Sequence, residues 1–222
     1  MKYDITYSCG HKGTIEATGN RKEKESKIEW AEKYGLCPEC YKAEIIKKEQ
    51  KMNLVLCVDV SHSMLHSSAY YDQKDVIISH FEGATYTHKD AINALGYHWV
   101  SYKKVWDLTC SIKRFIEILK EVKAMGGTLK AERPQSLLAS IKNQIVYDCH
   151  TGADTLGYKI SKRPARPEGI SADEWYELVK DNDTECYNVF VDILGIAPEL
   201  QKMADDKYHG KFTKHDAPFK FL

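Results

Sequence analysis

Residues 7–11 (YSCGH) and 35–40 (GLCPEC) carry four metal-ligand side chains in two tight pairs, Cys9 with His11 and Cys37 with Cys40. Zinc takes four such soft or borderline ligands in a tetrahedron, and structural Cys3His sites leave no position for water. The chain between the pairs is long enough to bring them together. It predicts short strands at 3–8 and 13–18 around the Cys-Gly-His turn, then a helix over 21–34 with Gly35 as its stop. Cys37-Pro38 opens a second helix, CPECYKAEIIKKEQK, dense in good helix formers. Free amides and the helix dipole at that start favour thiolates. Imidazole nitrogen reaches farther from its backbone than a thiolate sulfur, so the short Cys-x-His spacing still closes, and Gly10 permits the sharp turn. Two other readings compete: a redox dithiol at CPEC, around which no βαβ pattern is found, and a set of unrelated free cysteines. A closed structural zinc site is the expectation, with the metal supplying much of the folding energy of so small a segment.

The 222 residues allow one large domain or two to three small ones. Charged residues make up 29% and hydrophobic residues 43%, ordinary values for a soluble globular chain. Lysine plus arginine equals aspartate plus glutamate at 32 each, so no global field draws the protein to nucleic acid or to an anionic membrane. No apolar run approaches a membrane span, and MKYDITYSCGHKG lacks an apolar signal region. A cytoplasmic location without membrane contact is expected. Seven cysteines in such a chain argue against a disulfide framework, and the odd count leaves at least one thiol unpaired. Charge is uneven locally. Residues 159–167 carry Lys159, Lys162, Arg163 and Arg166 without an acid, and residues 171–207 hold ten acids against three lysines. The two blocks either pair with each other or face different partners.

Beyond residue 51 the composition changes. Residues 53–60 (NLVLCVDV) predict a buried strand and 76–82 (VIISHFE) another, with a polar, irregular stretch at 61–73 between them. Residues 89–95 predict a short helix closed by Gly96, followed by strands at 97–100 and 104–108. Ile112, Phe115, Ile116, Leu119 and Val122 repeat at helical spacing over 111–125. The last third reads as mostly helical. Pro134 sits at a first helical position, Ser171 to Glu174 form a capping box, and a further helix starts at Asp183 or Thr184 and stops at Gly195. The tail from Tyr208 is aromatic and mildly basic.

Two stretches resemble known modules. The run Tyr7-x-Cys9-Gly10-His11-x-Gly13, Lys27-x-Glu29-Trp30 and Gly35-Leu36-Cys37-Pro38-Glu39-Cys40-Tyr41-Lys42-Ala43 looks like a zinc-ribbon-like module of uncharacterised proteins from phages and mobile elements of gut bacteria. That resemblance implies zinc and provenance rather than an activity. Phe81-x-Gly83-x-Thr85-Tyr86-x-x-Lys89-Asp90-x-Ile92-x-Ala94-Leu95-Gly96-Tyr97-x-Trp99, ending in Lys104-x-Trp106, is similar to a short module of plasmid and phage proteins, also found beside primase- or relaxase-like domains. Its members often carry Arg or Lys where this chain has Tyr97-His98. Read from the residues, the stretch is a β-α-β-β unit whose Trp99 and Trp106 form a cross-strand aromatic pair. Both tryptophans then belong to the core. Alternatively Tyr97, Trp99 or Tyr102 form a stacking platform for single-stranded nucleic acid, with Lys89, Lys103 and Lys104 on phosphates.

Asp59-x-Ser61-x-Ser63 matches the D-x-S-x-S metal-adhesion motif of von Willebrand A domains, and Gly126-Gly127-Thr128 resembles that family's second ligand loop. In that family the aspartate and hydroxyls help to hold Mg²⁺. The long helix that should follow the motif is absent from LHSSAYYDQKD, and no third ligand loop follows. His62 with His66, and Cys149 with His150, lack a convincing third group. No nucleophile-base-orienter set and no phosphate-cradling glycine loop is found. The expectation is an α+β protein with a zinc module over 1–51, a mixed central domain over 52–129 and a mainly helical region over 130–222. It acts without catalysis by binding nucleic acid or a host protein, with no small-molecule cofactor. The nucleic-acid surface expected is Tyr97, Trp99, Lys103, Lys104, Lys162, Arg163 and Arg166. The alternatives are an inhibitor or adaptor acting against a host defence complex, whose acidic block engages a basic partner, and an enzyme.

Overall fold

In the N-terminal segment both helices start at a residue whose own side chain caps them. Lys2–Thr6 (β1) and Lys12–Glu16 (β2) pair antiparallel, from Lys2 opposite Glu16 to Thr6 opposite Lys12. Asn20 starts Arg21–Tyr34 (α1): its side chain accepts from the Glu23 amide at 3.0 Å, and Glu23 accepts from the Asn20 amide at 2.9 Å. Two orphan helix-end donors are thereby satisfied reciprocally. Gly35 ends the helix, and a β-carbon there would stand 2.7 Å from the Ala31 carbonyl oxygen. Cys37 caps Pro38–Glu49 (α2), whose proline occupies a first-turn position where no amide is needed. At the other end of α2 the buried Glu49 carboxylate accepts from the amides of Tyr86 and Thr87, both at 2.7 Å.

The computed structural model describes residues 1–62, 75–153 and 157–208. They divide into two units, Met1–Met52 with Tyr86–His88 and Asn53–Thr85 with Lys89–Leu222. The apolar centre of the first unit is one small cluster of four buried residues, Ile5, Tyr7, Ala31 and Cys37, with Cys9, Ile15, Ile28 and Cys40 packed around them.

The second unit runs Leu54–His62 (β3), Asp75–Gly83 (β4), Lys89–Ala94 (α3), His98–Val100 (β5), Val105–Ser111 (β6), Ile112–Ala124 (α4), Thr128–Ala131 (β7), Pro134–Thr151 (α5), Ala172–Ile196 (α6) and Pro198–Tyr208 (α7). Its five strands lie in the order β5-β6-β4-β3-β7, antiparallel except for the parallel β3–β7 pair. Alternate residues Leu54, Leu56, Val58 and Val60 of β3, with Ile77, Ser79 and Phe81 of β4, are buried, the period of two that a one-sided core requires. Helix α4 meets β4 and β6, α5 meets β3, and α7 meets β7. Ser111 caps α4, which buries Phe115, Ile116, Leu119 and Val122 at three- and four-residue spacing.

The fold is α+β, as the sequence indicates, with three departures. The boundary expected at 129/130 does not separate two units. Phe115 and Leu119 of α4, Leu137 and Ile141 of α5, Phe190 and Ile193 of α6 and Leu200 of α7 join β3 and β4 in a single core. Strand β7 was not expected: four residues are too few for alternation to register. Nor does a helix begin at Asp183 or Thr184. Asp183 turns its carboxylate to Arg163, and Thr184 donates to the Lys180 carbonyl at 2.8 Å, so neither side chain caps and α6 continues. It also passes Gly195 and stops at Ala197, held extended before Pro198. No helix among the described residues is long and apolar enough to cross a membrane.

Candidate metal centre

The β1–β2 connection brings Cys9 and His11 within reach of the α1–α2 corner. Gly10 adopts φ 81, and its amide closes the turn on the Tyr7 carbonyl at 2.8 Å, while the Tyr7 amide reaches the His11 carbonyl at 2.9 Å. The left-handed backbone at Gly10 is the reason for glycine there. Ser8 ties this turn to the corner, its amide and hydroxyl both donating to the Gly35 carbonyl at 3.0 and 2.9 Å. The ligand atoms of Cys9, His11, Cys37 and Cys40 consequently lie within 4.8 Å of one another.

Their detailed geometry suits a cation. His11 presents Nδ1, 3.3 Å from Cys40 Sγ and 3.6 Å from Cys37 Sγ. Sulfur and nitrogen ligands on one tetrahedral zinc-sized ion stand about 3.6 Å apart. Backbone amides point at two of the sulfurs, Cys37 N–H at Cys9 Sγ and Cys40 N–H at Cys37 Sγ, both at 3.4 Å. The bond from Cys37 brings the Cys9 thiol down to about 6. Cys40 is driven the other way, to about 11, first by its hydrogen bond with Cys37. Sulfurs crowded with nothing positive among them resist losing further protons, and a bound cation removes that resistance. The four residues can hold a metal ion, and four protein ligands close its coordination shell.

The other expected site residues are dispersed. Tyr97 is 1% exposed; its ring lies 4.6 Å from that of Phe81 and its hydroxyl 2.8 Å from Ser79 Oγ. It cannot stack on a base, which corrects its assignment to the nucleic-acid surface. Burial pushes its phenol well above the usual range, so Tyr97→Phe should lose about 0.5–1.5 kcal/mol in chemical denaturation near neutral pH, a deficit that shrinks once pH rises past the usual phenol range, where the unfolded wild-type chain ionises first. Arg163 is corrected likewise: it is buried and paired with Asp183, itself 3% exposed. Trp99 is 49% exposed and stands edge-on to Trp106, with ring centroids 5.8 Å apart. Only Trp106 of the two joins the core margin. Tyr102, Lys103 and Lys104 are exposed at the β5–β6 turn, where Lys103 bonds Asp107 at 3.5 Å. Lys162 and Arg166 are exposed in a separate loop, and Arg166 donates to the Ile170 carbonyl at 2.6 Å.

The D-x-S stretch is otherwise engaged. Arg133 clasps both Asp59 oxygens, at 2.6 and 2.8 Å, and holds that carboxyl below its usual range. Thr128 lies at the opposite end of β3, with its hydroxyl on the Leu54 carbonyl at 3.5 Å. It therefore cannot join Asp59 around one ion. Ser63, His66 and the tail from 209 lie outside the described residues. Cys149 is buried, with its thiol on the Ser161 carbonyl at 3.7 Å.

Sequence reasoning passed over an aromatic face. Trp30, Tyr34 and Tyr41 are about 60% exposed, at 60%, 60% and 58%, and line one shallow groove with Lys27 and Glu44. Its signal was available: two large aromatics, Trp30 and Tyr34, stand four residues apart on a mostly charged helix. Comparison with known protein families, curated proteins and solved structures returns no match.

Proposed function

We propose that this chain is a non-enzymatic binding protein in which a structural zinc ion organises a small module that presents an aromatic face to a protein partner. Three thiolates and an imidazole favour zinc over the hard cations. The observation that carries the binding role is the convergence of Trp30, Tyr34 and Tyr41 on one groove. Isolated exposed apolar residues are unremarkable, but grouped Trp and Tyr are the side chains enriched at interface centres. Lys27 and Glu44 give the groove both signs of charge, which suits a protein surface better than a phosphate backbone. The setting in phages or mobile elements, and with it a host protein as the partner, rests on the resemblance of the Cys-Gly-His and CPEC runs.

The test is affinity purification from the native host with wild type and with Trp30→Ala/Tyr34→Ala. Surface substitutions typically alter stability by about 0.5 kcal/mol each, so the variant should keep its zinc. A stoichiometric protein that is captured by wild type and lost from the variant is the expected result; equal recovery by both overturns it.

A second reading is favoured by Trp99, exposed beside Tyr102, Lys103 and Lys104. That hairpin tip supplies a stacking surface and two cations for single-stranded nucleic acid. Salt-sensitive gel shifts abolished by Trp99→Ala, with Trp30→Ala/Tyr34→Ala unaffected, would establish this reading in place of the first.

A further inference from the structure

A second cluster of metal-ligating side chains lies on the sheet of the other unit. Cys57 of β3 is the register partner of His80 on β4. Glu82 follows His80 by two residues and so shares its face of the strand. The Cys57 sulfur, a His80 ring nitrogen and a Glu82 oxygen all lie within 4.8 Å of one another. His80 Nε2 is 3.5 Å from Glu82 Oε1. We propose that Cys57, His80 and Glu82 form a second metal site, for a borderline divalent transition ion such as Zn²⁺ or Co²⁺, with a fourth position open to solvent.

The donor set supports this assignment. One thiolate, one imidazole and one carboxylate are the ligand types that such ions accept, and the two anionic ligands neutralise the dication. The approach is also defined. Cys57 is 3% exposed and forms the floor, whereas the His80 and Glu82 side chains are 32% and 52% exposed and form the rim. An ion seated on that floor keeps its outer side toward water. Three protein ligands with one free position distinguish this site from the closed N-terminal one.

Without a cation the cluster is held by a proton. Burial pushes the Cys57 thiol up to about 11, and its bond to Glu82 lowers that carboxyl. An ion displaces this proton to solvent and takes its place between sulfur and oxygen. Lys130, the register partner of Cys57 on β7, is a positive charge that opposes a cation here; Glu132, which also acts on Cys57, offsets it. Asp107, the register partner of His80 on β6, adds a further carboxylate to the row.

The experiment is a Co²⁺ titration of the full chain after its N-terminal site has been filled with zinc, followed by absorbance. The expected result is one equivalent of Co²⁺ with a thiolate-to-cobalt charge-transfer band, lost in His80→Ala, Glu82→Gln and Cys57→Ser. Glu82→Gln replaces a half-exposed side chain, so circular dichroism should confirm a retained fold. The band should persist in Cys9→Ser/Cys37→Ser/Cys40→Ser, which removes every thiolate of the N-terminal site and so separates the two. Azide should shift the cobalt d–d bands by taking the open position. Absence of the band in wild type, or its survival in His80→Ala and Glu82→Gln, overturns the assignment. Bands that azide leaves unchanged overturn the open position.

Discussion

Stripping the metal from the N-terminal unit, with a strong chelator or by Cys37→Ser, should unfold residues 1–52 and leave the sheet unit intact. An apolar cluster of four buried residues is too small to offset the ordering of two strands and two helices. Structural zinc supplies about 10–16 kcal/mol to small sites of this kind, more than the whole stability of a typical domain. Losing it therefore removes the fold of the unit rather than loosening it. Cys37 is the most informative position, because its sulfur is a ligand atom and also accepts the Cys40 amide as the cap of α2. Hydrogen exchange is the suitable measurement. Amides of α1 and α2 should lose protection after chelation, while those of β3 and α4 keep theirs. Unchanged protection in residues 21–49, with metal loss verified by elemental analysis, would show that the apolar centre suffices alone.

Arg163→Ala should be the most damaging single substitution on the surface loop of residues 159–167. It leaves Asp183 buried at 3% exposure without its guanidinium, and breaking a buried pair costs about 3–5 kcal/mol. For a unit of this size that corresponds to a fall in Tm on the order of 10 °C. Burial already raises the Asp183 carboxyl, with Arg163 pulling against it. Without Arg163 that rise grows, so the folded state binds a proton more readily than the unfolded chain. The deficit of the variant is then greatest where Asp183 is ionised and shrinks as pH falls through its raised value. Arg163→Met with Asp183→Leu should recover most of the loss, because matched apolar replacements of buried pairs are commonly tolerated. Wild-type Tm in Arg163→Ala, together with weaker and less salt-dependent nucleic-acid binding, would return Arg163 to a phosphate-contacting role.

The metal cluster was legible in the sequence because its information is local. Two ligand pairs with short spacing, a glycine between Cys9 and His11 and a proline after Cys37 each specify a turn that needs no distant partner. Depth in a core was not legible in the same way. Tyr97 and Trp99 are two residues apart and belong to one aromatic run, yet one is sealed beneath Phe81 while the other lies on edge strand β5. What covers each is decided by packing that the local pattern does not encode. Arg163 is a similar case: its loop is basic throughout, and only the inward turn of Asp183 selects one cation for burial. The grouping of Cys57, His80 and Glu82 depends on the β3–β4 register, which sequence spacing alone leaves free.

The parallel pairing of Val55 with Thr128 has a consequence for synthesis on the ribosome. Strand β3 cannot complete its pairing until β7 follows, several seconds later at about 5–20 residues per second. The ligands Cys9 to Cys40 precede β3 in the chain and so meet ions before it does. Metal capture can therefore nucleate an ordered knot ahead of it while the apolar strand still awaits its neighbour, the interval in which a chaperone would find it.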